Sequence, residues 1–92
     1  GDRVWRLPLL PAYKELLRSE WADLKNSGGS KGALPASAAF LQHFVPDGVR
    51  WAHLDIAGVA HAAKGHNGLP AGANGFGVRL LLALIAEMAA KG

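Results

Sequence analysis

The pattern of apolar and polar residues predicts one β-strand, at residues 51–58, between two long helical stretches. Side chains alternate between the two faces of a strand, so Ala52, Leu54 and Ile56 form one apolar face. The opposite face carries an aromatic residue, two ionisable residues and a small residue: Trp51, His53, Asp55 and Ala57. Because both faces need cover and no second strand is evident nearby, we expect helices to pack on this strand.

Apolar residues at helical spacing predict three helices, at residues 11–21, 34–45 and 76–91. Pro11 suits the first turn of the first helix. The second helix contains a run of small residues from Ala36 to Ala39, which would let it pack very close to a neighbour. The third helix is apolar nearly all round, which is typical of a helix buried in a larger body.

The segments between these elements are rich in glycine and are predicted to be loops, at residues 23–32 and 60–75. The resulting order, α–α–β–α, contains a single strand, and a lone strand cannot satisfy its own backbone N–H and C=O groups. The chain is therefore expected to be mostly helical when taken alone and to form the end of a larger α/β domain. No shift in composition marks a domain boundary within residues 1–92.

Composition excludes several broad classes of protein. Half of the 92 residues are hydrophobic and 18% are charged, which excludes a disordered chain. The net charge is +3, but the ten Lys and Arg residues are scattered, which argues against nucleic-acid binding. The absence of cysteine excludes disulfides and thiol chemistry and fits a reducing cytosol. The longest apolar stretch, residues 78–90, is interrupted by Arg79 and Glu87 and is too short to span a bilayer.

His53 and Asp55 lie on the same face of the predicted strand, with Cα atoms about 7 Å apart. They could form a metal pair or an acid–base couple, or they could be buried polar groups that hydrogen-bond to neighbouring backbone. The sequence offers no nucleophile or third metal ligand at a recognisable spacing, which favours the structural interpretation. His61 and His66 form a weaker metal signal in the second loop, and solvated histidines are the simpler interpretation.

The glycine-rich run at residues 72–77 precedes the third helix and could present backbone N–H groups to an anion. It does not follow a strand directly and lacks the glycine order of dinucleotide-binding loops. A tight helix start with Asn74 near the N-cap is therefore favoured. In the first loop, Asp23, Asn26 and Gly28-Gly29 could contact a substrate, but residues of these types form turns equally well.

Three motifs occur in order along the chain: RVWRLPL at residues 3–9, ADLKN at residues 22–26 followed by Gly28-Gly29, and WAHLDIAG at residues 51–58. GFGVRLL at residues 75–81 extends the pattern, as does AAFL followed by FV between residues 38 and 45. Together these motifs resemble the C-terminal portion of the leucyl aminopeptidase family, also called the cytosol aminopeptidase family, over essentially the whole chain. The resemblance implies that residues 1–92 form one piece of a mixed-sheet α/β metallopeptidase domain.

Members of that family are cytoplasmic homohexamers that release N-terminal amino acids, leucine preferentially, from peptides. They use two divalent metal ions, commonly zinc, manganese or magnesium, bridged by the water that attacks the peptide carbonyl. The family's metal ligands and catalytic residues lie in motifs upstream of the matched region, and its NTDAEGR motif is absent from this sequence. The resemblance therefore implies that this segment supplies no catalytic residue and no metal ligand, and binds no metal ion itself.

What the resemblance assigns to this segment is a wall of the substrate pocket. Ala57 and Ala60 correspond to positions facing the side chain of the substrate's N-terminal residue, and Ser27 to a position on the leaving-group side. Gly58, next to Ala57, is also expected to face the substrate. A small apolar residue such as Ala57 suits a pocket that must hold leucine. Ser27 departs from the apolar residue of some members, which leaves the preference on that side open. Asn74 stands where threonine is frequent.

These observations leave three functional hypotheses. In the first, the chain is the C-terminal part of a two-metal aminopeptidase, inactive alone, whose partners are the rest of that enzyme, peptide substrates and further copies of itself. In the second, it is a non-catalytic remnant that associates with itself or with a partner through the apolar last helix. In the third, the glycine-rich run binds an anion or a nucleic acid. No membrane partner is expected.

Overall fold

The computed structural model describes residues 2–29, 33–65, 68 and 70–92. The chain divides into two compact units. One unit is Arg6–Leu54, and the other combines Gly1–Trp5 with Asp55–Gly92. Ser27 belongs to the first unit, and Ala57, Gly58 and Ala60 belong to the second.

The first predicted helix is a 3₁₀ helix that spans Pro11–Leu17, with proline in its first turn as expected. The prediction that it reaches residue 21 is wrong, because Arg18 has an extended backbone with ψ of 134°. The Ser19 hydroxyl then accepts hydrogen bonds from the backbone N–H groups of Trp21 and Ala22, at 3.2 and 3.1 Å. Serine offers the backbone an alternative to helical bonding in this way, so the chain turns instead of continuing the helix.

The second helix, α1, spans Ala33–Gln42 and ends three residues before the predicted position. Beyond it, the Phe44 and Val45 N–H groups bond to carbonyls three residues back, at 3.1 and 3.0 Å, which tightens the last turn ahead of Pro46. Because proline cannot continue a helix, Pro46 is the local cause of the early end of α1.

A small core joins α1 to the 3₁₀ helix. Leu17, Ala36 and Ala39 are buried, with exposures of 1%, 0% and 2%. Three partly buried residues pack around them: Tyr13, Leu24 and Phe40. The predicted close packing of the small residues in α1 is therefore confirmed.

The prediction of a strand at residues 51–58 is wrong. Residues 51–56 have no regular structure and residues 57–59 form a turn, so the order α–α–β–α does not hold. A strand is stable only with a hydrogen-bonded neighbour, and none of the described residues pairs with this segment. Asp55 instead accepts the Ala57 N–H at 3.1 Å and bends the chain.

A short antiparallel sheet lies inside the predicted loop at residues 60–75. Its strands are β1, His61–Ala62, and β2, Gly72–Ala73. His61 pairs with Ala73, and Ala62 pairs with Gly72. The helices and this sheet are compatible with a segment of an α/β domain.

The last helix, α2, spans Val78–Ala90, within two residues of the predicted bounds. None of its residues is buried. Leu82 and Ile85 are 64% and 62% exposed, although the apolar composition of α2 predicts burial. No helix in the described ranges has the length and apolar character needed to cross a bilayer.

Candidate functional site

The candidate site is a tight turn at residues 56–60, which holds most of the predicted substrate-facing residues and is called the pocket turn. The Ile56 carbonyl accepts hydrogen bonds from the N–H groups of Val59 and Ala60, at 3.0 and 2.9 Å. Together with the bond from the Ala57 N–H to the Asp55 carboxylate, these contacts reverse the chain within a few residues. The Asp55 side chain is therefore used to shape the turn.

Three of the four predicted substrate-facing residues lie in the pocket turn. Ala57 and Gly58 are exposed, and Ala60 is half-buried. A Cβ placed on Gly58 would meet no heavy atom within 4 Å, so the space in front of this residue is open. At Ala57 and Gly58 the turn thus presents small, accessible residues, flanked by the larger apolar side chains of Ile56 and Val59, which are 38% and 44% exposed.

Ser27, the fourth predicted residue, belongs to the other unit. Its side chain is exposed, and its hydroxyl accepts the Gly29 N–H at 3.2 Å. Asp23 and Asn26, further candidates in this loop, are also exposed. Gly28 has a packing role, because it closely approaches Ala36 of α1.

Asn74, which directly follows β2, forms hydrogen bonds to the end of the pocket turn. Its backbone N–H donates to the Ala60 carbonyl at 3.1 Å, and its side-chain amide donates to the Val59 carbonyl at 2.6 Å. Sequence reasoning missed this role, because the contact joins residues far apart in the chain and depends on how the hairpin folds.

The start of α2 differs from the predicted one. The N-cap is Gly77, whose φ of +93° is a left-handed conformation suited to glycine. Asn74 lies three residues earlier, where its Oδ1 accepts the Phe76 N–H at 3.0 Å. The Gly77 N–H donates to the Asp2 carboxylate at 3.1 Å, so an acidic side chain of the chain itself contacts this glycine-rich run.

Those of the predicted metal and acid–base candidates that the structure describes belong to no cluster of three or more metal-binding side chains. Asp55 is exposed and His53 is half-buried, so the expectation that both are buried is wrong. The His53 ring lies 6.4 Å from the Trp51 ring, centroid to centroid. His61 is exposed in β1, and His66 lies outside the described residues. Within the described ranges, no three His, Cys, Asp or Glu side chains converge as a metal site would require.

Comparison with known proteins identifies the family. The model of the catalytic domain of the cytosol aminopeptidase family matches residues 1–82. A probable cytosol aminopeptidase of Parasynechococcus marenigrum (strain WH8102) is 52% identical over 81 residues, which cover 88% of this chain and 17% of that protein. One of Nitrobacter winogradskyi is 52% identical over 87 residues, covering 95% of this chain and 17% of the relative.

A probable cytosol aminopeptidase of Chlorobaculum tepidum is 51% identical over 85 residues, covering 92% of this chain. This chain spans only 17% of the length of each of these relatives. No solved structure gives a significant match. The match to the family's catalytic domain over residues 1–82 nevertheless covers most of the chain, which therefore belongs to the cytosol aminopeptidase family.

Proposed function

We propose that this chain is the C-terminal segment of a metal-dependent aminopeptidase and contributes core packing and one wall of its substrate pocket. The observation that carries the proposal is the match of residues 1–82 to the catalytic domain of the cytosol aminopeptidase family. The chain covers 17% of relatives that are about half identical to it. Most of the catalytic domain, including the catalytic residues, is therefore expected to lie in the rest of the enzyme.

The complete enzyme would release N-terminal amino acids from peptides, with leucine preferred. Two divalent ions, zinc, manganese or magnesium, are expected in it. The described residues of this segment do not fit such a pair, because they contain no cluster of metal-binding side chains. The segment's own contribution is therefore to bind and orient the substrate.

The pocket turn supports this role. Ala57 and Gly58 are small and accessible, and the space in front of Gly58 is open. A pocket for leucine needs an apolar wall and room for four side-chain carbons, which small residues provide. Ala60 completes the wall for the N-terminal side chain, and Ser27 is proposed to face the leaving-group side.

We further propose that the complete enzyme works in the cytosol as a homohexamer. The location is supported by the names of the relatives, which are probable cytosol aminopeptidases. The hexamer rests on the family resemblance. The rest of the enzyme and neighbouring subunits are the expected partners of this segment.

An activity assay of the 92-residue chain tests the absence of catalytic residues. Purified chain incubated with leucine p-nitroanilide and Mn²⁺ is expected to show no turnover. The full-length relative from Parasynechococcus marenigrum serves as the reference enzyme. Turnover by the chain that persists after contaminating peptidases are removed, and that a chelator abolishes, would contradict the proposal.

A second candidate function is association with itself or with a partner chain through α2. The observation that favours it is that no residue of α2 is buried, although the helix is almost entirely apolar. Exposed apolar surface of this kind marks an interaction site. Sedimentation should then show self-association that weakens on dilution, whereas a monomer at all concentrations would count against this function.

A further inference from the structure

We infer that Asn74 is a positioning residue that fixes the pocket turn, and through it the substrate-facing surface of Ala57 and Gly58. This inference rests on the proposed function, which assigns that surface to the substrate. Asn74 does not itself belong to the predicted wall, and its effect would act through the backbone of the turn.

The argument begins with two adjacent carbonyl groups. The Val59 carbonyl accepts the Asn74 side-chain amide at 2.6 Å, and the Ala60 carbonyl accepts the Asn74 backbone N–H at 3.1 Å. One residue thus holds two consecutive peptide groups at the end of the turn. Fixing both groups removes backbone freedom that an exposed turn would otherwise retain.

The oxygen of the Asn74 side-chain amide also forms a hydrogen bond. Its Oδ1 accepts the Phe76 N–H at 3.0 Å, so the two ends of the amide bond to two different segments. Phe76 leads directly into α2, and its neighbour Gly77 is bonded to Asp2. The Asn74 side chain therefore links the pocket turn to the start of α2, in addition to the backbone pairing of β1 with β2.

Two substitutions distinguish the hydrogen bonds made by the nitrogen and the oxygen of the Asn74 side-chain amide. Asn74→Asp keeps an oxygen for the Phe76 N–H but loses the N–H donor to Val59 and places an anion beside that carbonyl. Asn74→Ala removes both bonds. Ser19→Ala is the matched control, because it removes a side-chain acceptor of two backbone N–H groups in the other unit.

Amide hydrogen exchange of the 92-residue chain, read by NMR, tests the positioning role without any need for activity. The N–H groups of Val59 and Ala60 bond to the Ile56 carbonyl, so their exchange reports how firmly the turn is held. In Asn74→Asp, these two N–H groups should exchange about tenfold faster, while the exchange of the Phe76 N–H changes little. In Asn74→Ala, all three amides should exchange faster, and Ser19→Ala should affect none of them. Equal exchange at Val59 and Ala60 in the wild type and both Asn74 variants would overturn the inference.

Enzyme kinetics then connect the turn to substrate binding. The assay uses a chimera, defined as the full-length Parasynechococcus marenigrum relative with its matching segment replaced by this chain. Asn74→Asp in the chimera should raise KM for leucine p-nitroanilide about fivefold and leave kcat within about twofold. A loss confined to kcat would overturn the positioning role. An unmodified chimera that is folded and metal-loaded, yet inactive, would instead contradict the proposed function, while hydrogen exchange would still decide the role of Asn74.

Discussion

Gly28 approaches Ala36 so closely that a Cβ added to Gly28 would lie 2.5 Å from the Ala36 Cβ. Ala36 is fully buried in α1 and cannot move aside. The same Cβ would lie 3.4 Å from the Cβ of Leu16. Gly28 thus lets the loop pass directly over the small-residue face of α1.

Gly28→Ala should therefore destabilise the Arg6–Leu54 unit by about 1–3 kcal/mol, because the added methyl group overpacks a rigid contact. Urea unfolding of the purified chain measures the change. Gly58→Ala is the control, since a Cβ at Gly58 meets no neighbour. Combining Gly28→Ala with Ala36→Gly should recover part of the loss, and a double variant less stable than either single one would contradict this account.

Leu17 is the only large side chain with less than 2% exposure among the described residues. Leu17→Ala should cost about 2–5 kcal/mol, because it removes buried methyl groups and leaves a cavity against α1. Leu41→Ala is the matched control, since Leu41 is 47% exposed and should cost much less. Thermal unfolding compares the two variants, and equal losses would show that Leu17 is not the centre of the core.

The exposed apolar face of α2 predicts how the isolated chain behaves in solution. Leu82→Glu and Ile85→Glu place charges at positions that are 64% and 62% exposed, so they should reduce self-association and preserve folding. Sedimentation velocity at several concentrations measures the effect. Glu87→Gln, which changes a charge on the same helix without altering the apolar face, is the control. Unchanged association in both glutamate variants would exclude α2 as the contact surface.

The size of residue 57 should control which substrates the complete enzyme accepts. Ala57→Phe in the chimera should fill the proposed pocket and lower kcat/KM for leucine p-nitroanilide about tenfold relative to alanine p-nitroanilide. Ala52→Phe, also at an exposed position but outside the pocket turn, is the control. If the ratio of kcat/KM for leucine p-nitroanilide to kcat/KM for alanine p-nitroanilide is unchanged in Ala57→Phe, Ala57 does not face the substrate side chain.

Local sequence patterns predicted the three helical regions, because helix periodicity and proline position act within a few residues. The small residues of α1 likewise predicted its close packing, which Ala36 and Ala39 confirm. The strand at residues 51–58 could not be predicted correctly, because a strand depends on a partner and none of the described residues supplies one.

The geometry of the candidate site was less predictable than the helices. The β1–β2 pair consists of two-residue strands, which are too short for an alternating pattern to show. The bond from Asn74 to Val59 joins residues 15 positions apart, so no local signal marks it. Ala57, Gly58, Ala60 and Ser27 came from the family resemblance, and their role in substrate binding stays a prediction.

The most direct test of the central claim is the aminopeptidase activity of the chimera. If this chain supplies core and pocket wall for the family's catalytic domain, the chimera should hydrolyse leucine p-nitroanilide with kcat/KM within about tenfold of the unmodified relative. A chimera that is folded and metal-loaded, yet inactive under conditions where the relative is active, would contradict the claim.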